Sequence, residues 1–472
     1  MSQNPTTGGA IEMSGALREI FGTDGVRGKA NQAPMDSETA LALGRAVASI
    51  FQNGVHRHRI VVGKDTRLSG YMLETALASG ICSMGADVML VGPLPTPGIA
   101  FIARSMRADA GVVISASHNP FDDNGIKFFD RDGFKLPDEL ETGMEELIRT
   151  GLSDIKRPIG ESIGRAHRID DAAGRYIQYL KGTFPNSLTL EGMRLVVDCA
   201  NGAGYRVAPA VFTELGAEVI ELGTHPDGTN INEDCGSLHT ERMCELVRKV
   251  HANAGIALDG DADRVIMCDE KGDIVDGDVI MALAAIDKKS RSVLNKNTLV
   301  ATIMSNLALD RAMRDRDIKV VRTKVGDRYV ISAMREGGYN LGGEQSGHLI
   351  FLNHNTTGDG IMGGLNVLAI MLREERPLSE LARVFEPYPQ IRIDVEVLRK
   401  REFTEVPEIA RALESFRGEL GDAGRLLLRY SGTENVARVM VEGADQGRIR
   451  SMANDLAGLI QSHLGNDFGV MQ

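Results

Sequence analysis

The chain has no tryptophan among its 472 residues and no run approaching 18 consecutive apolar residues. The second absence argues against a membrane-spanning helix, so no membrane partner is expected. Cysteine is sparse. Cys82, Cys199, Cys235, Cys244 and Cys268 are odd in number and widely spaced, which fits neither a disulfide framework nor a zinc site and suits a reducing, cytoplasmic setting. No block rich in lysine and arginine appears and the formal net charge is −12, so a general nucleic-acid partner is not expected. Such a chain can still bind a phosphorylated small molecule if its basic groups converge locally. The N-terminus lacks the basic, apolar, small-residue order of a signal peptide, and residues 1–17 read as a flexible extension. Asn355-Thr356-Thr357 matches a glycosylation acceptor, which carries no meaning without secretion.

What the chain does have is a dense acidic loop. Gly255 to Arg264 places Asp259, Asp261 and Asp263 within five residues, directly after a short apolar run. Two carboxylates ~5 Å apart repel by roughly 3 kcal/mol at an effective dielectric of ~20. Three on one turn therefore ask for a cation, and all-oxygen ligands suit Mg²⁺ or Ca²⁺ rather than zinc. The spacing approaches an EF-hand, with Glu270 at the twelfth position, but Arg264 occupies the sixth, where the turn needs glycine. Ala254–Leu258 and Val265–Cys268 also read as strands, where an EF-hand needs helices. Mg²⁺ shared with a phosphate fits better, because Mg²⁺ usually takes few carboxylates and keeps positions for substrate oxygens.

At this length three or four domains are expected. A helix beginning near Asp36 carries Leu43, Val47, Ile50 and Phe51 on one face. Strands follow at Ile60–Val62, Val88–Val91 and Gly111–Ile114, with a helix bearing Leu73, Leu77, Ile81 and Met84 between the first two. That is a βαβαβ progression with parallel strands. After a Gly/Arg/Pro-rich linker near 154–165 the pattern restarts, with a strand at Leu195–Asp198 and a helix at Val207–Leu215. It restarts again with Leu299–Ile303, Asn306–Arg314 and Lys319–Val321. Beyond Pro387 and Pro389 the period becomes two over Ile391–Val397, with strands at Leu426–Tyr430 and Val436–Val441 and a closing helix over Gly447–Leu464. The expected class is α/β: three similar α/β domains with mixed sheets and a C-terminal α+β domain around a central cleft. The boundaries fall at 18–166, 167–268, 269–384 and 385–472.

Three further loops carry chemistry. Ser115-Ala116-Ser117-His118-Asn119-Pro120 ends a strand, where open α/β sheets build their sites. A serine there can accept a phosphoryl group, although a lone serine more often does only local bonding. Asp122-Asp123-Asn124-Gly125-Ile126-Lys127 follows closely. Gly342-Gly343-Glu344-Gln345-Ser346-Gly347-His348 is a polar loop before a strand, either an ordinary turn or a reader of sugar hydroxyls. Arg429-Tyr430-Ser431-Gly432-Thr433-Glu434-Asn435, followed by Arg438, offers hydroxyls, guanidiniums and a close backbone approach for a phosphate. It is not a Walker A loop, and Cys199–Gly204 is not a dinucleotide fingerprint; it reads as a turn.

In this order the serine, aspartate, Glu-x-Ser and Ser-Gly-Thr loops resemble the α-D-phosphohexomutase family, one loop per domain, from about Phe21 to Leu464. Phe21–Gly28, Lys324–Val330 and Gln345 place the resemblance on the amino-sugar side of that family; mannose and glucose relatives commonly carry Met at the position of Gln345. Tyr430 stands where the family usually has a basic residue, and Asn435 where it has proline. The resemblance implies an isomerase that interconverts glucosamine 6-phosphate and glucosamine 1-phosphate, feeding cell-wall precursor synthesis. It implies a phosphoserine at Ser117 and glucosamine 1,6-bisphosphate as intermediate and activator. One Mg²⁺ per subunit is implied, held by Ser117, Asp259, Asp261 and Asp263. Arg264 and Lys127 would offset charge, with His118 and Lys127 assisting proton transfer. Glu344 and Ser346 would orient the sugar, and Arg429, Ser431, Gly432 and Thr433 would hold the phosphate that does not react. A mannose or glucose specificity, a non-catalytic sugar-phosphate sensor and assembly as a homodimer stay open.

Overall fold

Asp36 starts the first long helix, Ser37–Ile50, by accepting the Thr39 N–H at 2.8 Å. This helix packs on Gly70–Ser83, burying Leu43 and Val47 against Leu73, Leu77 and Ile81. The two backbones meet closely because Gly44 and Gly80 lie at the crossing, where a Cβ on either would run into a carbonyl of the other helix. The computed structural model describes residues 20–465 apart from 23, 52–56, 153–154 and 432–434. The extension expected over 1–17 lies outside the described residues.

The chain forms two compact units, Met1–Ile274 with His348–Ala369, and Val275–Gly347 with Ile370–Gln472. In the first, Arg59–Lys64 pairs in parallel with Asp87–Pro93 and with Ala110–Ile114. Asp123–Asp130 then adds antiparallel to Ala110–Ile114 and to Gly25–Lys29. The polar stretch after Pro120 is thus largely a buried strand. Within it Asn124 is fully buried and donates to Ser69 Oγ at 2.8 Å. A second sheet in this unit orders Val265–Asp269, Ala254–Leu258, Arg194–Asp198 and Glu218–Leu222. The last three are parallel, while Ala254–Leu258 and Val265–Asp269 form an antiparallel ladder. The acidic loop is therefore the connection of a hairpin flanked by strands, which removes the EF-hand.

In the second unit Thr298–Thr302 pairs in parallel with Lys319–Thr323 and Leu341–Gly343. Gln390–Glu396, Val436–Gly443 and Gly424–Tyr430 form an antiparallel sheet in that order. Helices Pro407–Leu420 and Gln446–Leu464 contribute Ile409, Leu413, Met452 and Leu456 to its core. The expected limits at 166 and 268 each fall inside a strand, Ala166–Arg168 and Val265–Asp269. Both strands pair to the sheet before the limit, so the limits sit too early. His348–Ala369 belongs to the first unit rather than with its sequence neighbours.

A candidate phosphoserine and metal site

Ser117 follows the strand Ala110–Ile114 and Asp259 follows Ala254–Leu258, so both stand beyond the carboxyl ends of parallel strands. Ser117 is 1% exposed, and its Oγ donates to Asp259 Oδ2 at 2.6 Å. Its φ of 52° lies in the left-handed region, which costs a non-glycine residue about 1–2 kcal/mol. Surrounding contacts hold it there. Ser115 Oγ accepts the Ser117 N–H at 2.9 Å and donates to Asp65 Oδ2 at 2.6 Å. Asp65 also accepts from Arg67 Nε at 2.8 Å, and Arg67, wholly buried, donates to the carbonyls of Ser117, Asn119 and Asp123 at 2.9, 2.9 and 3.1 Å. A fixed guanidinium thus grips the turn by its carbonyls and leaves Oγ to face Asp259.

Asp259, Asp261 and Asp263 each offer a carboxylate oxygen to one cluster, all within 4.8 Å of one another. Burial, then the neighbouring Asp263 and Asp261, push the Asp259 carboxyl well above the ordinary carboxylate range. Such a cluster is costly without a cation. Asp261 Oδ2 accepts from Thr96 Oγ1 at 2.7 Å and Lys127 Nζ at 3.1 Å, while its buried Oδ1 accepts no hydrogen bond among the described residues. Three converging carboxylates, two of them (Asp261 and Asp263) with a buried oxygen that accepts no hydrogen bond among the described residues, fit a hard divalent cation.

The other expected catalytic residues lie around this cluster. His118 Nδ1 sits 3.2 Å from Ser117 Oγ. Burial, then Arg264 and Arg27, lower the imidazole to about 4, so it is neutral at physiological pH. Lys127, buried on the strand Asp123–Asp130, is 3.4 Å from Asp24, 3.1 Å from Asp261 and 3.8 Å from Asp263. Burial opposes its charge, but these three carboxylates outweigh it and raise the ammonium above its usual range. That favours a fixed cation over a proton donor. Arg264 donates its backbone N–H to Asp259 Oδ1 at 3.1 Å, and its Nε is 3.9 Å from Asp263.

Several contributors escape sequence reading. Asp24, from the Phe21–Gly28 motif, ion-pairs with Arg27 at 2.8 Å and with Lys135, and so braces Lys127. Thr96 opens a helix far from any motif. His348 Nε2 accepts the Gly358 N–H at 3.1 Å, which directs Nδ1 at Asp263, 3.5 Å away. For Asp65 and Arg67 a signal existed, since Lys64-Asp65-Thr66-Arg67 puts charge at and directly after the end of a strand buried from Ile60 to Lys64.

The loops expected to read the sugar and hold the phosphate lie in the second unit. Glu344 Oε1 accepts the Gly326 N–H at 3.0 Å, and Ser346 Oγ is 3.5 Å from Glu344 Oε2. Gln345 Nε2 reaches Asp276 Oδ2 at 3.3 Å. The motif Lys324–Val330 thus touches the sugar loop through Gly326. Arg429 faces Arg438 directly across two antiparallel strands. Burial and then that neighbour depress its guanidinium, an arrangement that favours an anion. Ser431 is buried; Gly432 and Thr433 lie outside the described residues. Tyr430 stacks on Phe403 at 4.2 Å and bonds the Arg401 backbone as both donor and acceptor, at 2.7 and 3.2 Å. The same turn carries Lys400, whose Nζ donates to the Ser431 carbonyl at 2.7 Å. A cation reaches this loop from a neighbouring turn even though position 430 holds none.

Four consecutive family domains of the phosphoglucomutase/phosphomannomutase class match the chain: domain I over 18–154, II over 174–272, III over 276–388 and the C-terminal domain over 391–459. The chain belongs to the phosphoglucomutase/phosphomannomutase family, the phosphohexomutases. Within it, the chain is 60% identical over 451 residues to the phosphoglucosamine mutase of Citrifermentans bemidjiense, covering 96% of this chain and 99% of that protein. It is 61% identical to the phosphoglucosamine mutase of Anaeromyxobacter dehalogenans, covering 95% and 100%. Among solved structures, a family protein of Burkholderia thailandensis is similar at a TM-score of 0.77 and 26% identity, covering 94% of this chain and 97% of that one. The N-acetylphosphoglucosamine mutase of Aspergillus fumigatus, solved with GlcNAc-6P and magnesium, shares the fold at a TM-score of 0.63 and 19% identity, covering 94% and 95%. No helix among the described residues is long and apolar enough to cross a membrane.

Proposed function

We propose that this chain is a phosphoglucosamine mutase, an isomerase interconverting glucosamine 6-phosphate and glucosamine 1-phosphate. Identity of about 60% to curated phosphoglucosamine mutases over nearly the whole chain supports the substrate. The observation that carries the chemistry is Ser117 Oγ, 2.6 Å from one carboxylate of a buried triad.

In the phosphorylated enzyme the Ser117 phosphoryl group passes to the free hydroxyl of the bound sugar phosphate. The P–O bond to Ser117 breaks, a P–O bond to the sugar forms, and the hydroxyl proton leaves. The 1,6-bisphosphate then presents its other phosphate, which returns to Ser117 Oγ. Such transfers depend mainly on positioning and charge neutralisation. Asp259, Asp261 and Asp263, with Ser117, would hold Mg²⁺, which when bound offsets negative charge on the transferring group. Lys127 and Arg264 add fixed positive charge, worth most in a buried, water-poor site. Neutral His118 is placed to exchange a proton or hydrogen bond at Ser117 Oγ. Glu344 and Ser346 take sugar hydroxyls, Gln345 helps select the amino sugar, and Arg429, Ser431, Gly432 and Thr433 hold the idle phosphate. Glucosamine 1,6-bisphosphate serves as both intermediate and activator.

The test is a side-by-side rate assay on glucosamine, glucose and mannose 6-phosphates with Mg²⁺ and the matching bisphosphates. The amino sugar is expected to turn over at least ~10-fold faster, the margin of about one lost polar contact. Equal or reversed rates would overturn the assignment, and no turnover of any sugar would favour a sensor.

A further inference from the structure

Asn232 lies in family domain II, 115 residues from Ser117, and nothing in its sequence surroundings marks it. Its side-chain Nδ2 donates to the Ser117 carbonyl at 2.9 Å and to the Asn119 carbonyl at 3.1 Å. These are the same two oxygens that Arg67 Nη2 grips at 2.9 Å each. The serine turn is therefore held by a double clamp, with each carbonyl receiving one donor from domain I and one from domain II. Arg67 belongs to the serine's own domain and cannot report where the metal loop lies. Asn232 can. Its backbone N–H donates to the Ala200 carbonyl at 2.9 Å, on the turn following the strand Arg194–Asp198. That turn is tied to the acidic loop, because Ala203 donates to the Gly260 carbonyl at 2.8 Å. Gly260 passes directly over the clamp, where a Cβ would lie 2.5 Å from the Ser117 carbonyl and 2.9 Å from Asn232 Nδ2.

The backbone of Asn232 is shaped for this task. Its φ of 60° is left-handed, a conformation asparagine tolerates better than other L-residues. It presents the amide outward from a turn whose Ile231 is buried. Ser117 itself is held at a φ of 52°, so its Oγ direction depends on forces applied to its backbone. During turnover the load on Oγ alternates between a hydroxyl and a doubly charged phosphoester. A clamp on the carbonyl side does not compete with the phosphoryl group for the Oγ side.

We propose that Asn232 is a positioning residue for phosphoryl transfer, setting the register between Ser117 and the three metal-loop carboxylates. This rests on the phosphoserine reading above. Asn232→Asp keeps size and left-handed tolerance but loses both N–H donors. The expected result is a loss in kcat of at least ~10-fold, equivalent to about 1.4 kcal/mol of transition-state stabilisation. KM for the sugar phosphate should stay within about twofold and Tm within a few degrees, the split expected when only transition-state alignment suffers. The rate of Ser117 phosphorylation from the 1,6-bisphosphate, read by intact mass in a single turnover, should fall by the same factor. Asn232→His, which tolerates the same backbone and restores a ring N–H donor, should recover part of the loss. A parental phosphorylation rate in Asn232→Asp, or a kcat loss matched by loss of folded protein in both variants, would overturn the proposal. Ser117→Ala assayed alongside separates the two readings. If Ser117→Ala is inactive while Asn232→Asp is normal, only the clamp fails; an active Ser117→Ala removes the phosphoserine itself.

Discussion

The residues around Ser117 and those of the proposed sugar loop differ most in how far each is withdrawn from water. Ser117, Asp259 and Asp261 are 1% exposed and Asp263 is 5% exposed, whereas Glu344 and Gln345 are half-buried and Ser346 is exposed. The first group is crossed by ion pairs and short hydrogen bonds from Arg67, Lys127, Thr96 and His348. The second makes contacts of 3.0–3.5 Å with backbone N–H groups, a neighbouring hydroxyl and Asp276. Chemistry needs charges that do not reorganise during reaction, and burial with opposed charges supplies that. Recognition of a sugar needs hydroxyl partners that exchange easily with water, and half-exposed loops supply those. Substitutions in the first group should therefore stop the reaction, and those in the second should mainly weaken binding.

Four substitutions sharpen that contrast, in falling order of effect. Ser117→Ala should lower turnover by several decades with the protein still folded, because only the hydrogen bonding of Oγ, above all to Asp259, is lost and no cavity opens; near-normal turnover would break the contrast at its strongest point. Asp261→Asn should raise the Mg²⁺ concentration needed for half-maximal rate by at least roughly 100-fold, beyond the 10–100-fold typical of outer-shell partners. Metal titration of the steady-state rate reads this directly, and an unmoved midpoint would remove Asp261 from the metal site. Arg429→Ala should raise KM about 10–100-fold with kcat reduced far less, the range expected for one charged hydrogen bond of ~1.5–3 kcal/mol. A loss confined to kcat would place Arg429 with the chemistry instead.

The smallest effect concerns stability in the second unit. Asp278 is 1% exposed, and burial, then Asp276, push its carboxyl up to about 7. Its Oδ2 accepts the Asn306 N–H at 2.7 Å. A carboxyl whose folded value is raised binds its proton more tightly when folded. Its stabilising contribution is therefore full below about pH 4 and fades as pH rises through 7. At 1.36 kcal/mol per pH unit this is at most about 4 kcal/mol. Asp278→Asn should flatten the fall in Tm between pH 5 and pH 8 relative to the parent; an unchanged slope would show that Asp278 is already ionised.

How much of this was legible in the sequence depended on whether partners are neighbours in the chain. Asp259, Asp261 and Asp263 stand out because their repulsion is local and needs no fold to be felt. The helices around Leu43 and Leu77 show in their periodicity, because one buried face fixes the spacing, and the strand around Val112 shows as a continuous apolar run, because every residue in it is buried. Asn232 does not show, since its acceptors are backbone carbonyls 115 and 113 residues away. Any residue type presents a carbonyl, so the acceptor leaves no mark. The strand Asp123–Asp130 was hidden for a related reason. Its polar residues, Asn124 and Lys127, are paid for by tertiary partners, Ser69 and the carboxylates of Asp24 and Asp261. Family resemblance supplied the roles of the sugar and phosphate loops, which local chemistry alone left open between a turn and a binding site.

The most direct measurement is to incubate the enzyme and Mg²⁺ with glucosamine 1,6-bisphosphate carrying labelled phosphate, digest it, and locate the label. One phosphoryl group should appear on the peptide containing Ser117 and leave it on a chase with glucosamine 6-phosphate, at a rate matching turnover. Label on another residue, or full turnover with residue 117 never modified, would contradict a phosphoserine at this position.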